Sequence, residues 1–267
     1  MKTFAIASVV LFAASPAFAG LTLVMERGST HSTLYIEGNK IRMEDDNPGN
    51  KNHVMIFDGD AKLLTVVDAS RKTYFQSSEA DMKAVGVRMQ DGMAKAKQQM
   101  QAAMANMTPE QRQQMEAMMA QHAPQHAASP EKPQTKFEPT GQKKTMAGYS
   151  CEGYREIRGA KSQSEGCYIP WSSGAVSKDD LKPLVAFEEF FAGMLSPGSR
   201  SRGHVTEGIG NAPGFPGLRS KIDSDGKRGE EEKLVSLTRG SVAADKFLPP
   251  AGYSKSVKGG PFQGGED

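Results

Sequence analysis

Between Leu21 and Gln76 short runs of alternating apolar and polar residues are cut at regular intervals by turn residues, a pattern that leaves little choice but an antiparallel sheet. Leu21, Leu23 and Met25 recur at every second position, with polar Thr22 and Glu26 among their neighbours, Thr33 to Glu37 and Lys40 to Glu44 flank Gly38-Asn39, and His53 to Phe57 and Leu63 to Val67 bracket Asp58-Gly59. A last run, Thr73 to Gln76, follows the turn at Asp68 to Lys72. Alternation with a period of two sends successive side chains to opposite faces of a strand, and Gly-Asn or Asp-Gly supplies the backbone freedom of a tight hairpin. Residues 20–78 are therefore predicted to form the N-terminal half of a hairpin-connected sheet.

At Glu79 the period changes to that of a helix. Met82, Met89, Met93, Met100, Met104 and Met107 recur at steps of seven, four and three with no intervening proline, which gathers them into one stripe. Thr108-Pro109-Glu110-Gln111 carries a cap, a first-turn proline and a capping-box glutamine, so a second helix bearing Met115, Met118 and Met119 is predicted. Residues 79–122 thus read as an inserted Met-rich helical hairpin. Residues 123–139 hold four prolines and few apolar residues, the composition of an extended linker.

The second half of the sheet is predicted over 140–258. Lys143 to Ile157 and Gly166 to Trp171 read as strands, and Leu181 to Leu195 as an amphipathic helix behind the Ser177 cap and the acidic Asp179 and Asp180. Gly217 to Asp223 and Glu232 to Thr238 form a last hairpin around Asp225-Gly226, and 259–267 is expected to be a frayed tail. Short antiparallel strands interrupted by helices give an α+β fold, a curved antiparallel sheet whose concave face is covered by helices and which can enclose an apolar cavity.

Lys2, the apolar run from Phe4 to Ala14 and the small residues ending at Ala19 have the make-up of a cleavable signal peptide over 1–19. The run ends at Ala14, two residues before Pro16, and is too short to span a membrane. A periplasmic chain that is not membrane-spanning is expected. Removing Lys2 leaves 32 basic against 31 acidic residues, a balance that disfavours nucleic acid as a partner. In an oxidising compartment the two cysteines, Cys151 and Cys167, are expected to pair as a structural disulfide, since the C-x-x-C spacing of a redox pair is missing.

Several stretches together are familiar: Tyr35 to Met43, Ile56 to Phe75, Thr140 to Tyr154, Cys167 to Trp171, Gly214 to Arg219 and Phe247 to Lys255. They resemble domain-of-unknown-function family 4412 of exported bacterial proteins and, more distantly, the lipoprotein carriers LolA and LolB. The most specific piece is T-G-x-x-K-x-x-x-G-Y-x-C followed by C-x-x-x-W, which sets Cys151 and Cys167 on the family's disulfide-like positions. The resemblance implies a half-barrel with covering helices and, by analogy, a hydrophobic ligand. It carries over no active site.

No G-x-S-x-G, H-E-x-x-H or phosphate-binding glycine loop occurs, and Ser129 to Lys132 matches S-x-x-K only inside the proline-rich stretch. A non-enzymatic protein without a cofactor is expected. Met100, Met104, Met107, Met115 and Met118 admit three roles: soft ligands for Cu(I), an adaptable apolar groove, or plain helix packing. The expected function is a periplasmic binding or carrier-like protein for a hydrophobic or lipid-like ligand. The alternatives are copper handling through the Met-rich helices and a role as an envelope structural or interaction protein, with an envelope protein as partner.

Overall fold

The computed structural model describes residues 20–47, 50–105, 108, 135–158, 161–192, 210–223 and 225–256. The expected signal peptide, the second Met-rich helix and the C-terminal tail fall outside these residues. The described chain is built on one sheet of twelve strands, in the order β12-β6-β5-β4-β3-β2-β1-β11-β10-β9-β8-β7. It is curved and unclosed, the half-barrel expected from the sequence. All pairings are antiparallel except that of the two-residue β12, Ser254–Lys255, which runs parallel to β6.

The N-terminal half follows the alternation closely: β1 Leu21–Arg27, β2 Thr30–Glu37, β3 Lys40–Asn47, β4 Asn50–Asp58, β5 Leu63–Asp68 and β6 Thr73–Ser78. Register places Leu21, Ile36, Ile41, Phe57 and Leu64 side by side across five strands. All five are buried. They are covered by helix α2, Lys182–Ala192, whose Phe187 and Phe190 rings lie 5.4 and 5.2 Å from that of Phe57. The helix is introduced by a reciprocal cap: Asp180 N–H donates to Ser177 Oγ at 3.2 Å and Ser177 N–H to the Asp180 carboxylate at 2.7 Å. The expected helix start is thus found, preceded by a 3₁₀ turn over Asp179–Leu181.

The opposite face of the same strands is also covered. Arg42, Ile56, Thr65 and Val67 are buried there, next to a C-terminal segment whose 3₁₀ turn, Ala244–Phe247, lies against β3 and β4. Arg42 Nη1 donates to the Lys246 carbonyl at 2.8 Å, and the Lys246 ammonium sits 5.0 Å from the Tyr35 ring centroid. That segment then pairs as β12 with β6, covering an edge that would otherwise offer unpaired backbone groups.

Helix α1, Glu79–Ala105, begins where expected. Ser78 is its cap, donating its hydroxyl to Asp81 at 2.7 Å and accepting the Asp81 N–H at 3.3 Å. Only its first two turns pack: Met82 and Gly86 are buried, whereas Val87 and every residue from there to Ala103 are exposed. At 1.5 Å per residue the helix is about 40 Å long, so most of it projects beyond the sheet.

Three expectations about the second half are corrected. Strand β7 is Thr135–Met146, so the sheet begins inside the stretch assigned to the 123–139 linker. It is an edge strand paired only with β8, and an edge accepts Pro139 because the missing N–H can face away from the partner. Phe137 anchors it, stacked edge-on against Tyr168 at 5.5 Å. The single strand expected over Lys143 to Ile157 is a hairpin of β7 and β8, Tyr149–Arg158, turning at Ala147 and Gly148, both at positive φ. β9, Lys161–Pro170, starts five residues earlier than expected, and β10, Gly214–Ile222, and β11, Arg228–Arg239, form the last hairpin.

Cys151 on β8 and Cys167 on β9 are joined as expected, with Cα atoms 5.4 Å apart, and both are buried. They clamp adjacent strands of the sheet, beyond closing the connection between them. The chain-entropy effect of a loop this long is about 3 kcal/mol. A Cys151→Ala/Cys167→Ala protein should unfold at correspondingly lower urea, and reducing the wild type should reproduce that shift in equilibrium unfolding curves.

Candidate functional site

Beside the buried row under α2 runs a second one on the same face. Leu34, Met43, Met55, Val66 and Phe75 are consecutive cross-strand partners from β2 to β6. All five are half-buried, and Leu34, Met43, Met55 and Val66 pack on the core on one side and are open on the other. With strands about 4.8 Å apart the row is roughly 19 Å long and one side chain wide. The next row out is polar: Ser32 donates to Asp45 at 2.5 Å, and Asp68 accepts the Ser70 and Arg71 N–H groups at 2.9 and 3.1 Å. From β2 to β5 the face therefore grades from closed apolar, through open apolar, to polar over three successive same-face positions.

At Phe75 the row meets a concavity of about 630 Å³ between β6 and the first turns of α1. Phe75, Ala84, Val85 and Val87 give it apolar walls, with Asp81 and Arg88 at the rim. The Asp81 carboxyl is held below the ordinary range chiefly by hydrogen bonds from Ser78, so it is an anion at neutral pH. The sheet was expected to enclose an apolar cavity. Under α2 the space is instead filled by Phe57, Phe187 and Phe190, and the apolar opening is displaced to the flank, beneath α1.

The methionines singled out in the sequence separate. Met82 is buried in the core, while Met89, Met93 and Met100 are exposed and Met104 half-buried on the projecting part of α1. Eighteen residues of helix put Met100 about 27 Å from Met82. Met107, Met115 and Met118 lie outside the described residues, so the facing stripes of the hairpin, on which the Cu(I) role depended, are not described. The methionines that do line an apolar surface, Met43 and Met55, were assigned only as strand residues in the sequence. Period-two alternation places them on the inner face, but only the register shows that they adjoin.

One buried carboxylate, Glu156, is spent on the sheet itself. Glu156 on β8 receives Arg219 Nε at 2.8 Å and Nη2 at 2.6 Å, together with the Tyr168 hydroxyl. Burial alone would raise its pKa, but the hydrogen bonds from Arg219, Ser164 and Tyr168 outweigh it and hold the carboxyl below its ordinary 4.5. Tyr168 is pushed the other way, by burial and by the Glu156 charge beside it. A carboxylate locked to a guanidinium and a phenol that keeps its proton make a structural set with no free base.

No helix among the described residues is long and apolar enough to cross a membrane. A family model described as "Domain of unknown function (DUF4412)" matches residues 76–253, two thirds of the chain. The match takes in four of the stretches that carry the resemblance, wholly or in large part, and runs across 79–139; those at 35–43 and 56–75 precede it. No curated protein matches. Among solved structures, an uncharacterized conserved protein from Thermus thermophilus is similar at 8% identity and a TM-score of 0.42, over 90% of each chain. A chain of the Pseudomonas aeruginosa MucA/MucB complex is similar at 12% identity and a TM-score of 0.36, over 87% of this chain and 56% of that one. A structure of MucB in complex with MucA(peri) gives 12% and 0.34, over 87% and 54%. This chain thus spans little more than half of the latter two.

Proposed function

The chain belongs to the DUF4412 family, and we propose that it is a non-enzymatic, exported binding protein that takes an extended apolar chain, such as the acyl chain of a lipid, on the flank of its sheet. The observation that carries this is the half-open row Leu34–Met43–Met55–Val66–Phe75 and its run into the concavity under α1. Its shape selects the ligand: a strip one side chain wide and five strands long fits a linear hydrocarbon better than a compact ring. Methionine at its middle adapts to chains that lie differently, because the thioether side chain is unbranched.

Magnitudes favour a long chain. Each buried methylene contributes about 0.8 kcal/mol. Association costs at least ~4 kcal/mol, so three or four methylenes do not suffice and a chain along the whole row does. A polar head would remain at the hydrated outer row. The signal-peptide-like composition of residues 1–19 and the oxidised Cys151–Cys167 pair support a periplasmic site of action.

Native mass spectrometry of protein purified from the cell envelope tests the proposal. The expected result is a bound species with the mass of a lipid or lipopeptide, released by organic solvent. Protein that is repeatedly empty, and that takes up no acyl-chain probe such as parinaric acid, would contradict it.

A further inference from the structure

The other end of the sheet carries a second concavity of different chemistry. β7 and β11 stand four places apart in the strand order, yet their Cα atoms come within 8 Å. That end is therefore rolled up, and the roll holds a concavity of about 370 Å³ lined by residues of all five strands from β7 to β11. Gly153 permits the roll: a Cβ there would stand 2.4 Å from Thr140 Oγ1, where the bulge of β7 folds over β8.

One cross-strand row crosses this concavity. Glu138, Arg155, Glu165, Ser220 and Glu231 are successive partners on the five strands. Glu165 is clamped between Arg155, whose Nε donates at 3.1 Å, and the Arg228 guanidinium. The hydrogen bond from Arg155 is the main reason its carboxyl lies below the ordinary range. Between Glu165 and Glu231 sits Ser220. Its residue is 2% exposed, it lines the concavity, and its buried Oγ has no hydrogen-bond partner. A buried hydroxyl left in that state is costly, and most such groups in proteins are satisfied.

We propose that this concavity is a binding site for a neutral polyhydroxylated ligand, a carbohydrate of one or two rings, with the Ser220 hydroxyl as its deepest contact. The lining argues for neutrality: Glu138, Glu165 and Glu231 are balanced by Lys144, Arg155 and Arg228, so the site has no net charge with which to select an anion or a cation. It nonetheless offers carboxylate acceptors and guanidinium and ammonium donors close together. A sugar hydroxyl donates and accepts at once, so it can bridge such neighbours, and the volume falls in the range of small-ligand sites.

The test is amide NMR of the full mature protein titrated with cellobiose, glycylglycine or inorganic phosphate. Cellobiose is expected to shift the amides of Gly153 and Ser220, with the other two probes silent. Ser220→Ala should weaken cellobiose binding about fivefold, the worth of one neutral hydrogen bond. The same substitution should leave the unfolding midpoint unchanged or raise it, because it removes an unsatisfied polar group. Glu231→Gln, on an exposed residue, should also weaken binding and keeps the proposal testable if the serine variant misfolds. Silence with cellobiose, a response to glycylglycine or phosphate in its place, or full affinity in both variants would overturn it.

Discussion

Phe57→Ala is expected to lower the free energy of unfolding by about 4 kcal/mol, a large part of what a domain of this kind has to lose. Phe57 is 1% exposed and stands between Ile41 and Leu64 in the buried row, with the Phe187 and Phe190 rings of α2 packed upon it. Truncation removes the transfer contribution of a whole ring and opens a cavity that the β-sheet beneath cannot collapse to fill. Phe137→Ala serves as the comparison. That ring is half-buried on an edge strand and touches Tyr168 alone among the described rings, so about 1 kcal/mol is expected. Urea unfolding of the two variants measures the contrast. Equal effects would mean that α2 does not seal the sheet.

Arg219→Met is expected to cost about 3 kcal/mol at neutral pH, because it leaves the Glu156 carboxylate buried without its cation. The figure is set at the low end for a broken buried pair since the Arg219 side chain is 39% exposed while that of Glu156 is 6% exposed. The pH dependence gives the sign. Glu156 has a folded pKa below its ordinary 4.5, so its contribution is complete above that value and is lost as pH falls through the lower folded one. Protonation removes the charge in both proteins. The gap between wild type and Arg219→Met should therefore be widest above pH 4.5 and shrink on further acidification. Arg219→Lys should fall between them, keeping the charge and losing the two-pronged geometry. Thermal unfolding across this pH range decides the matter, and a gap that does not change with pH would show that Arg219 acts by packing alone.

The parts of the fold legible in the sequence are those governed by neighbours along the chain. Leu21, Leu23 and Met25 announce a strand by alternation, Gly38-Asn39 announces its hairpin, and Ser177 with Asp180 announces a helix start. What escaped depends on contacts between distant residues. The start of β7, up to Pro139, looks like linker because proline and polar residues dominate there, and an edge strand held by one aromatic ring tolerates that composition. The turn inside Lys143 to Ile157 was signalled only by Gly148, and Ala147 beside it takes a positive φ seldom used by residues other than glycine. The Glu156–Arg219 pair joins residues 63 apart, and the strap over the outer face binds Arg42 to a carbonyl 204 residues away. The candidate site behaves likewise. Helical periodicity drew attention to Met100 and Met104, which project on α1, while Met43 and Met55 became neighbours only through strand register.

That difference sets the most direct test of the central claim, that the flank of the sheet holds an apolar chain. Methyl NMR of methionine-labelled protein, titrated with a long-chain fatty acid, reports on each thioether separately. The Met43 and Met55 methyls are expected to shift together and saturably, with Met82 in the core and Met93 and Met100 on the projecting helix unmoved. Shifts confined to Met93 and Met100, with Met43 and Met55 silent, would contradict the account.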